Sequence, residues 1–290
     1  MARKHEERQQ GGTLMKFLDS IRAKKREKEM KKVQHRREYL LNKSTPFNIL
    51  EAFRNLKATL SVSIPGQKGM GRAIAFTSSY PEDGKTTVTT NLALMFAVSE
   101  TKVVLIDADI RKGRVAKYFR AKSTPGLSDY LSGLATIEEI VRPSNVNPNL
   151  FYIACGTHSP KPYELLESEK MQTLIDELKK QFNYVVIDTP PVLLVSDALA
   201  VASKTDGTVV VCRQNLSYIS DVQRSISSLQ FAKANVLGVV VNDSATSHKS
   251  YGGYKNFYGS SGYQYASYAY SYGTTEPDTE EETETETTNE

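Results

Sequence analysis

Residues 79–87 read Ser-Tyr-Pro-Glu-Asp-Gly-Lys-Thr-Thr, between the run AIAFTS (73–78) and the helical stretch TTVTTNLALMFAVS. This is the pattern G-x-x-x-x-G-K-[ST] with Ser79 in place of the first glycine. A strand that feeds such a loop into a helix turns backbone N–H groups and the positive end of the helix dipole toward an anion. Gly84 lets the backbone approach a phosphate closely, Lys85 reaches the β/γ-phosphates, and the Thr86 hydroxyl is a Mg²⁺ ligand. Ser79, Asp83 and Thr87 are counted with them as positions lining the nucleotide.

Two apolar runs end in carboxylates. VVLIDADIR (103–111) places Asp107 and Asp109 at the end of one run, and VVIDTPP (185–191) does the same for Asp188. Ligands of an open parallel sheet sit beyond the carboxyl ends of its strands. Three carboxylates there, beside a phosphate-binding loop, are placed to handle Mg²⁺ and a proton. Asn242 ends a further run, VLGVVVN, where it either contacts the adenine or serves as a turn residue. Arg111, just past Asp109, either touches a phosphate or phosphotyrosine or, the commoner case for such a position, is a surface side chain.

The elements that must hold these residues follow a regular alternation. AIAFTS, KVVLID (102–107), FYIA (151–154), YVVIDT (184–189), GTVVVCR (207–213) and VLGVVVN (236–242) are short β-branched runs. Helical segments such as SEKMQTLIDELKKQF separate them. Near-continuous apolar strands alternating with helices indicate an α/β fold, a mostly parallel sheet flanked by helices. Thr45-Pro46 reads as a helix start, with Thr45 as N-cap and Pro46 in the first turn. Glu51, Arg54 and Lys57 then fall on adjacent turns of one helix, a spacing that by itself suits a solvated salt-bridge face.

Composition divides the 290 residues into three zones: a basic helical extension (1–43), the α/β domain (44–248) and a tail (249–290). The formal charge of +4 is a cancellation. Residues 1–43 hold 14 Lys/Arg against 6 acids, whereas residues 276–290 hold 8 acids and no base. Eight of the sixteen tyrosines lie in the tail: Tyr251, Tyr254, Tyr258, Tyr263, Tyr265, Tyr268, Tyr270 and Tyr272. Their Gly, Ser, Ala and Asn spacers offer little to bury, so a disordered segment is expected. No apolar stretch approaches the roughly 20 residues of a membrane helix, and the N-terminus is too charged for a signal peptide. Cys155 and Cys212 form neither CxxC nor Cys/His spacing, which argues against a disulfide framework or structural zinc and fits a reducing cytosol.

PEDGKTT, VVLIDADIR and VVIDTPP, together with ILEAFRNLKATL and the terminal tyrosine cluster, resemble the bacterial tyrosine kinases of capsular and exopolysaccharide synthesis. In that family these are the Walker A, A′ and B motifs and a Glu-x-x-Arg-x-x-Arg helix, whose third position is Lys57 here. The resemblance implies an ATP- and Mg²⁺-dependent kinase that phosphorylates its own tail tyrosines in trans. Lys85 would act with Asp107 and Asp109 in catalysis, and Thr86, Asp107 and Asp188 would hold the metal. Asp107 is favoured as the base or tyrosine-orienting carboxylate, with Asp109 assisting; the residue types do not separate the two. Glu51, Arg54 and Lys57 would form the contact of a ring-like homo-oligomer.

The resemblance further implies a transmembrane activator of the polysaccharide co-polymerase type and a protein-tyrosine phosphatase as partners. It places the chain in the cytoplasm, held at the inner face of the membrane by the activator; no nucleic-acid partner is expected. The rival readings are a partitioning ATPase of the deviant Walker A group and a non-catalytic nucleotide-binding scaffold. The first carries a signature lysine five positions before Lys85, where this chain has Tyr80. A eukaryotic-type protein kinase is excluded by the absence of HRD and DFG elements.

Overall fold

The computed structural model describes residues 37–65 and 69–243. Most of the basic extension, all eight tail tyrosines and the acidic end lie outside the described residues. The chain enters through α1 (Phe47–Ser63), β1 (Arg72–Ser78), α2 (Lys85–Ala97) and β2 (Val103–Asp107). Three short helices follow, α3 (Val115–Tyr118), α4 (Leu127–Leu131) and α5 (Ile137–Ile140), then β3 (Arg142–Pro143) and β4 (Leu150–Ile153). Next come α6 (Pro162–Glu167), α7 (Glu169–Gln181), β5 (Tyr184–Asp188) and α8 (Asp197–Ala202). The last described elements are β6 (Gly207–Arg213), α9 (Ile219–Phe231) and β7 (Val236–Asn242).

These strands form one sheet in the order β3-β4-β2-β5-β1-β6-β7. Every neighbouring pair is parallel except β3 with β4. The two-residue β3 has no signature in the sequence; it exists because β4 offers it an edge. Side chains alternate between faces along each central strand. Ile74 and Phe76, Val103 and Leu105, and Tyr184 and Val186 pack with Val88, Leu92 and Phe96 of α2. Ala73 and Ala75, Val104 and Ile106, and Val185 and Ile187 face Met171, Leu174, Ile175 and Leu178 of α7. Burial on both faces is what makes these strands read as unbroken apolar runs.

The same alternation aims the chemistry. Continuing Val103–Leu105 by two residues puts Asp107 on the α2 face, and continuing Tyr184–Val186 puts Asp188 there too. The β2–β5 register sets Asp107 directly opposite Asp188.

The start of α1 differs from expectation. Pro46 occupies the cap position with no side-chain cap bond, while the Thr45 hydroxyl accepts from the Asn42 amide at 2.9 Å. Residues 37–43, expected in the basic extension, pack on the domain. Asn91 of α2 receives the Leu41 amide and donates to the Tyr39 carbonyl, both at 2.8 Å, and Leu40 is buried.

Candidate active site

The loop 79–84 leaves β1 and reverses into α2 through two left-handed residues, Glu82 (φ 74°) and Gly84 (φ 82°). Gly84 is required twice over. Its φ disfavours a side chain, and a Cβ there would lie 1.9 Å from Asn242 Nδ2. Ser79 is not among the left-handed residues, so the loop makes no demand for glycine at that position. Its buried hydroxyl instead meets the Ser225 hydroxyl of α9 at 2.9 Å. Asp83 is also buried. It accepts from the Ser217 hydroxyl at 2.7 Å and from the Tyr80 amide at 3.3 Å, bracing the loop from behind.

Lys85, Thr86 and Asp188 converge on one point. Lys85 Nζ donates to Asp188 Oδ1 at 2.5 Å, and the Thr86 hydroxyl donates to Oδ2 at 2.7 Å. Thr87 turns the other way, to the Tyr118 hydroxyl at 2.7 Å, which fastens α3 to the start of α2.

Asp107 is fully buried beside this group. Its Oδ2 accepts the Val115 amide at 2.9 Å, and its Oδ1 has no hydrogen-bond partner among the described residues. Burial, then the charge of Asp188, pushes its carboxyl up to about 7. Burial raises Asp188 too, against the pull of Lys85 and Thr86. Lys85 and Thr86 favour the ionised form of Asp188, whereas Asp107 has no cation or hydroxyl bonded to it among the described residues. Asp109 lies half-buried one step outward, its Oδ1 accepting the Lys112 amide at 2.9 Å.

The structure thus brings Lys85, Thr86, Asp107 and Asp188 together, with Asp83 and Gly84 in the cradle. Asn242 reaches the same loop, donating to the Asp83 carbonyl at 3.0 Å. Ser79 and Thr87 support the loop from its flanks. Glu51 and Arg54 pair with each other, and Lys57 donates to Ser99 just past α2.

Arg111 is not the free surface group its position suggests. Its Nε and Nη2 grip the carboxylate of Asp197 at 2.7 and 3.0 Å, and this holds its guanidinium further above its ordinary value. Asp197 was invisible in the sequence, where the aspartate after Ser196 in the run SDALAVA reads as an ordinary helix-start residue. Ser217 and Ser225 carried no signal either.

Among the described residues no group of three or more His, Cys, Asp or Glu side chains could hold a metal ion unaided. One hydroxyl and one carboxylate at the mouth of a phosphate cradle are nonetheless the donor set Mg²⁺ shares with nucleotide phosphates.

A parallel sheet that ends at a phosphate loop and two facing aspartates defines a P-loop NTPase. The family model described as ParA, NUBPL iron-transfer P-loop NTPase, matches residues 70–275. The tyrosine-protein kinase CpsD of Streptococcus pneumoniae is 35% identical over 66% of this chain and 84% of its own length. The tyrosine-protein kinase ptk of Acinetobacter johnsonii is 33% identical over 70% of this chain, which spans 27% of that longer relative. Among solved structures, the kinase domain of the Escherichia coli tyrosine kinase ETK superposes with a TM-score of 0.64 at 31% identity. That match covers 70% of this chain and 80% of the other. The Pyrococcus furiosus cell division ATPase MinD reaches 0.53 at 26% identity, over 62% and 75%. Within the ParA-type P-loop NTPases, the chain belongs to the bacterial tyrosine-kinase family.

Proposed function

We propose that the chain is a protein-tyrosine kinase that uses ATP and Mg²⁺ to phosphorylate the tail tyrosines of a second copy. Its role would lie in capsular or exopolysaccharide synthesis. The observation that carries the reading is Asp107: a buried carboxyl with one unpartnered oxygen, titrating near 7, beside the Lys85–Asp188–Thr86 cluster. A tyrosine phenol, with an ordinary pKa of about 10, needs a base whose own pKa lies near the working pH.

In the reaction the phenolic oxygen forms a bond to the γ-phosphorus as the bond to ADP breaks, and the phenolic proton passes to Asp107 Oδ1. Lys85 would leave Asp188 to neutralise the β/γ-phosphates, and the loop amides around Gly84 would orient them. Thr86 and Asp188 would hold Mg²⁺, which spreads the developing charge on the phosphates. Asp109, half-buried one step further out, would assist in positioning the metal and phosphate or the incoming phenol.

The partners belong to the same proposal. Glu51, Arg54 and Lys57 would form the ring contact by exchanging their present intrachain partners for groups on a neighbour. A transmembrane activator would hold the chain at the inner face of the membrane, and a tyrosine phosphatase would hydrolyse the phosphotyrosines with water, releasing inorganic phosphate. No helix among the described residues is long and apolar enough to cross a membrane.

The test is mass spectrometry of the full chain after incubation with ATP and Mg²⁺, with and without an activator peptide. Multiple phosphotyrosines among residues 251–272 are expected, lost in Lys85→Met and Asp107→Asn variants whose circular dichroism is unchanged. An unmodified tail in every condition refutes the reading.

A further inference from the structure

Residues 111–122 carry six bases, Arg111, Lys112, Arg114, Lys117, Arg120 and Lys122, and no acid. The stretch is a strap fixed to the site. Val115 donates its amide to Asp107 Oδ2, and Tyr118 bonds Thr87 beside the phosphate loop. Further on, Asn145 Nδ2 donates to the Phe119 carbonyl at 3.1 Å, and the Gly156 amide donates to the Ser123 carbonyl at 3.0 Å. The strap therefore runs from the start of α2 across the carboxyl ends of β2 and β4.

Its apolar side chains, Val115, Ala116, Tyr118 and Phe119, are buried, whereas Lys112, Arg120 and Lys122 are exposed. Arg111 is neutralised by Asp197. Arg142 adds a cation at the far end, its guanidinium donating to the carbonyl oxygens of Lys122 and Pro125 and so keeping its charge. A band of positive charge thus leads outward from Asp107 and Asp109.

We infer that this band is a docking surface for an acidic polypeptide, and that its occupant is the 276–290 segment of a second copy of the chain. That segment holds eight acids and no base, and it begins four residues after the last tail tyrosine, Tyr272. Acidic residues held on Lys112, Arg120 and Lys122 deliver the neighbouring tyrosines to the mouth of the site. Charge complementarity of this kind raises the encounter rate and selects the substrate more than it adds buried contact, and it weakens with salt. The purpose given to the docking rests on the kinase reading; the docking itself does not.

The experiment uses the full chain and two fluorescein-labelled synthetic peptides of residues 262–290, one native and one with its eight acids replaced by Gln or Asn. Fluorescence anisotropy without nucleotide should show the native peptide binding about tenfold more tightly, with the difference shrinking as salt rises. The variant Lys112→Glu/Arg120→Glu/Lys122→Glu should lose that preference while binding nucleotide as before. It should regain affinity for a peptide whose acids are replaced by Lys. Neutralising the eight acids of the chain's own tail should strengthen binding of the native peptide, because a competitor has been removed.

Equal affinity for the two peptides overturns the docking. So does a triple variant that keeps the preference, or anionic vesicles that outcompete the native peptide in a Lys112- and Arg120-dependent way. Peptide that docks but is never phosphorylated leaves the docking and refutes the kinase. Peptides phosphorylated with the same KM, whatever their charge, leave the kinase and refute the docking.

Discussion

Arg111 holds the fully buried carboxylate of Asp197 through two nitrogens, at 2.7 and 3.0 Å. The pair ties the loop after β2, which carries Asp109, to the first turn of α8, which begins nine residues after Asp188. The segments that follow the Asp107 and Asp188 strands are thereby fixed to each other. Removing the arginine leaves an uncompensated charge in the core, the costliest way to break such a pair. Arg111→Ala should therefore destabilise the domain by about 2–4 kcal/mol in urea unfolding, whereas Arg111→Lys, which keeps the charge but not the two-pronged geometry, should cost less. An alanine variant as stable as the parent would show that water reaches Asp197 and that the clamp is dispensable.

The carboxyl of Asp107 titrates at about 7 in the folded protein against an ordinary value of 3.8. Between those values the native state holds a proton that the unfolded chain has released. The group's contribution to stability is thus complete below about pH 4 and is lost as the pH rises through 7. Asp107→Asn cannot titrate, and its amide oxygen can still accept the Val115 amide. Thermal unfolding of the nucleotide-free protein should show the variant gaining Tm relative to the parent between pH 4.5 and pH 8. A difference that stays flat across that range would mean that Asp107 is ionised throughout.

These two cases mark the boundary of what the sequence discloses. Lys85, Thr86, Asp107 and Asp188 were legible because strand alternation and the loop pattern are local rules, and the sheet register then brings the strand ends together. Six of the seven strands were found within a residue or two for the same reason; the two-residue β3 was not. The partners of Arg111, Asp83 and Ser79 were not legible. They lie 86, 134 and 146 residues away in sequence, Asp197 and Ser225 on helices and Ser217 in the loop before α9. Long-range polar pairing is decided by packing, and no local pattern announces it.

Ser79 departs from the phosphate-loop pattern, yet restoring glycine should not improve the site. The loop takes its left-handed turns at Glu82 and Gly84, and the Ser79 hydroxyl is engaged with Ser225 behind it. Ser79→Gly should cost about 1–2 kcal/mol, from the lost bond and the added chain entropy. Nucleotide affinity, measured by a fluorescent analogue, should be unchanged. Tighter binding in the variant would show that the serine side chain crowds the phosphates.

Gly84 and Asn242 form the last coupled pair, and a double-mutant cycle separates their two constraints. A Cβ at position 84 meets the Asn242 amide at 1.9 Å and also faces a φ of 82°. Gly84→Ala alone should raise the nucleotide Kd at least about tenfold, or about 1.4 kcal/mol, because the side chain that closes the cradle must move and the loop must strain. Asn242→Ala alone removes the bond to the Asp83 carbonyl and leaves the loop backbone free to adopt its turn. In the double variant the clash is gone and only the backbone strain remains, so its loss should be smaller than the sum of the two single losses. Strict additivity would mean that Asn242 already yields at no cost, and that φ alone dictates the glycine.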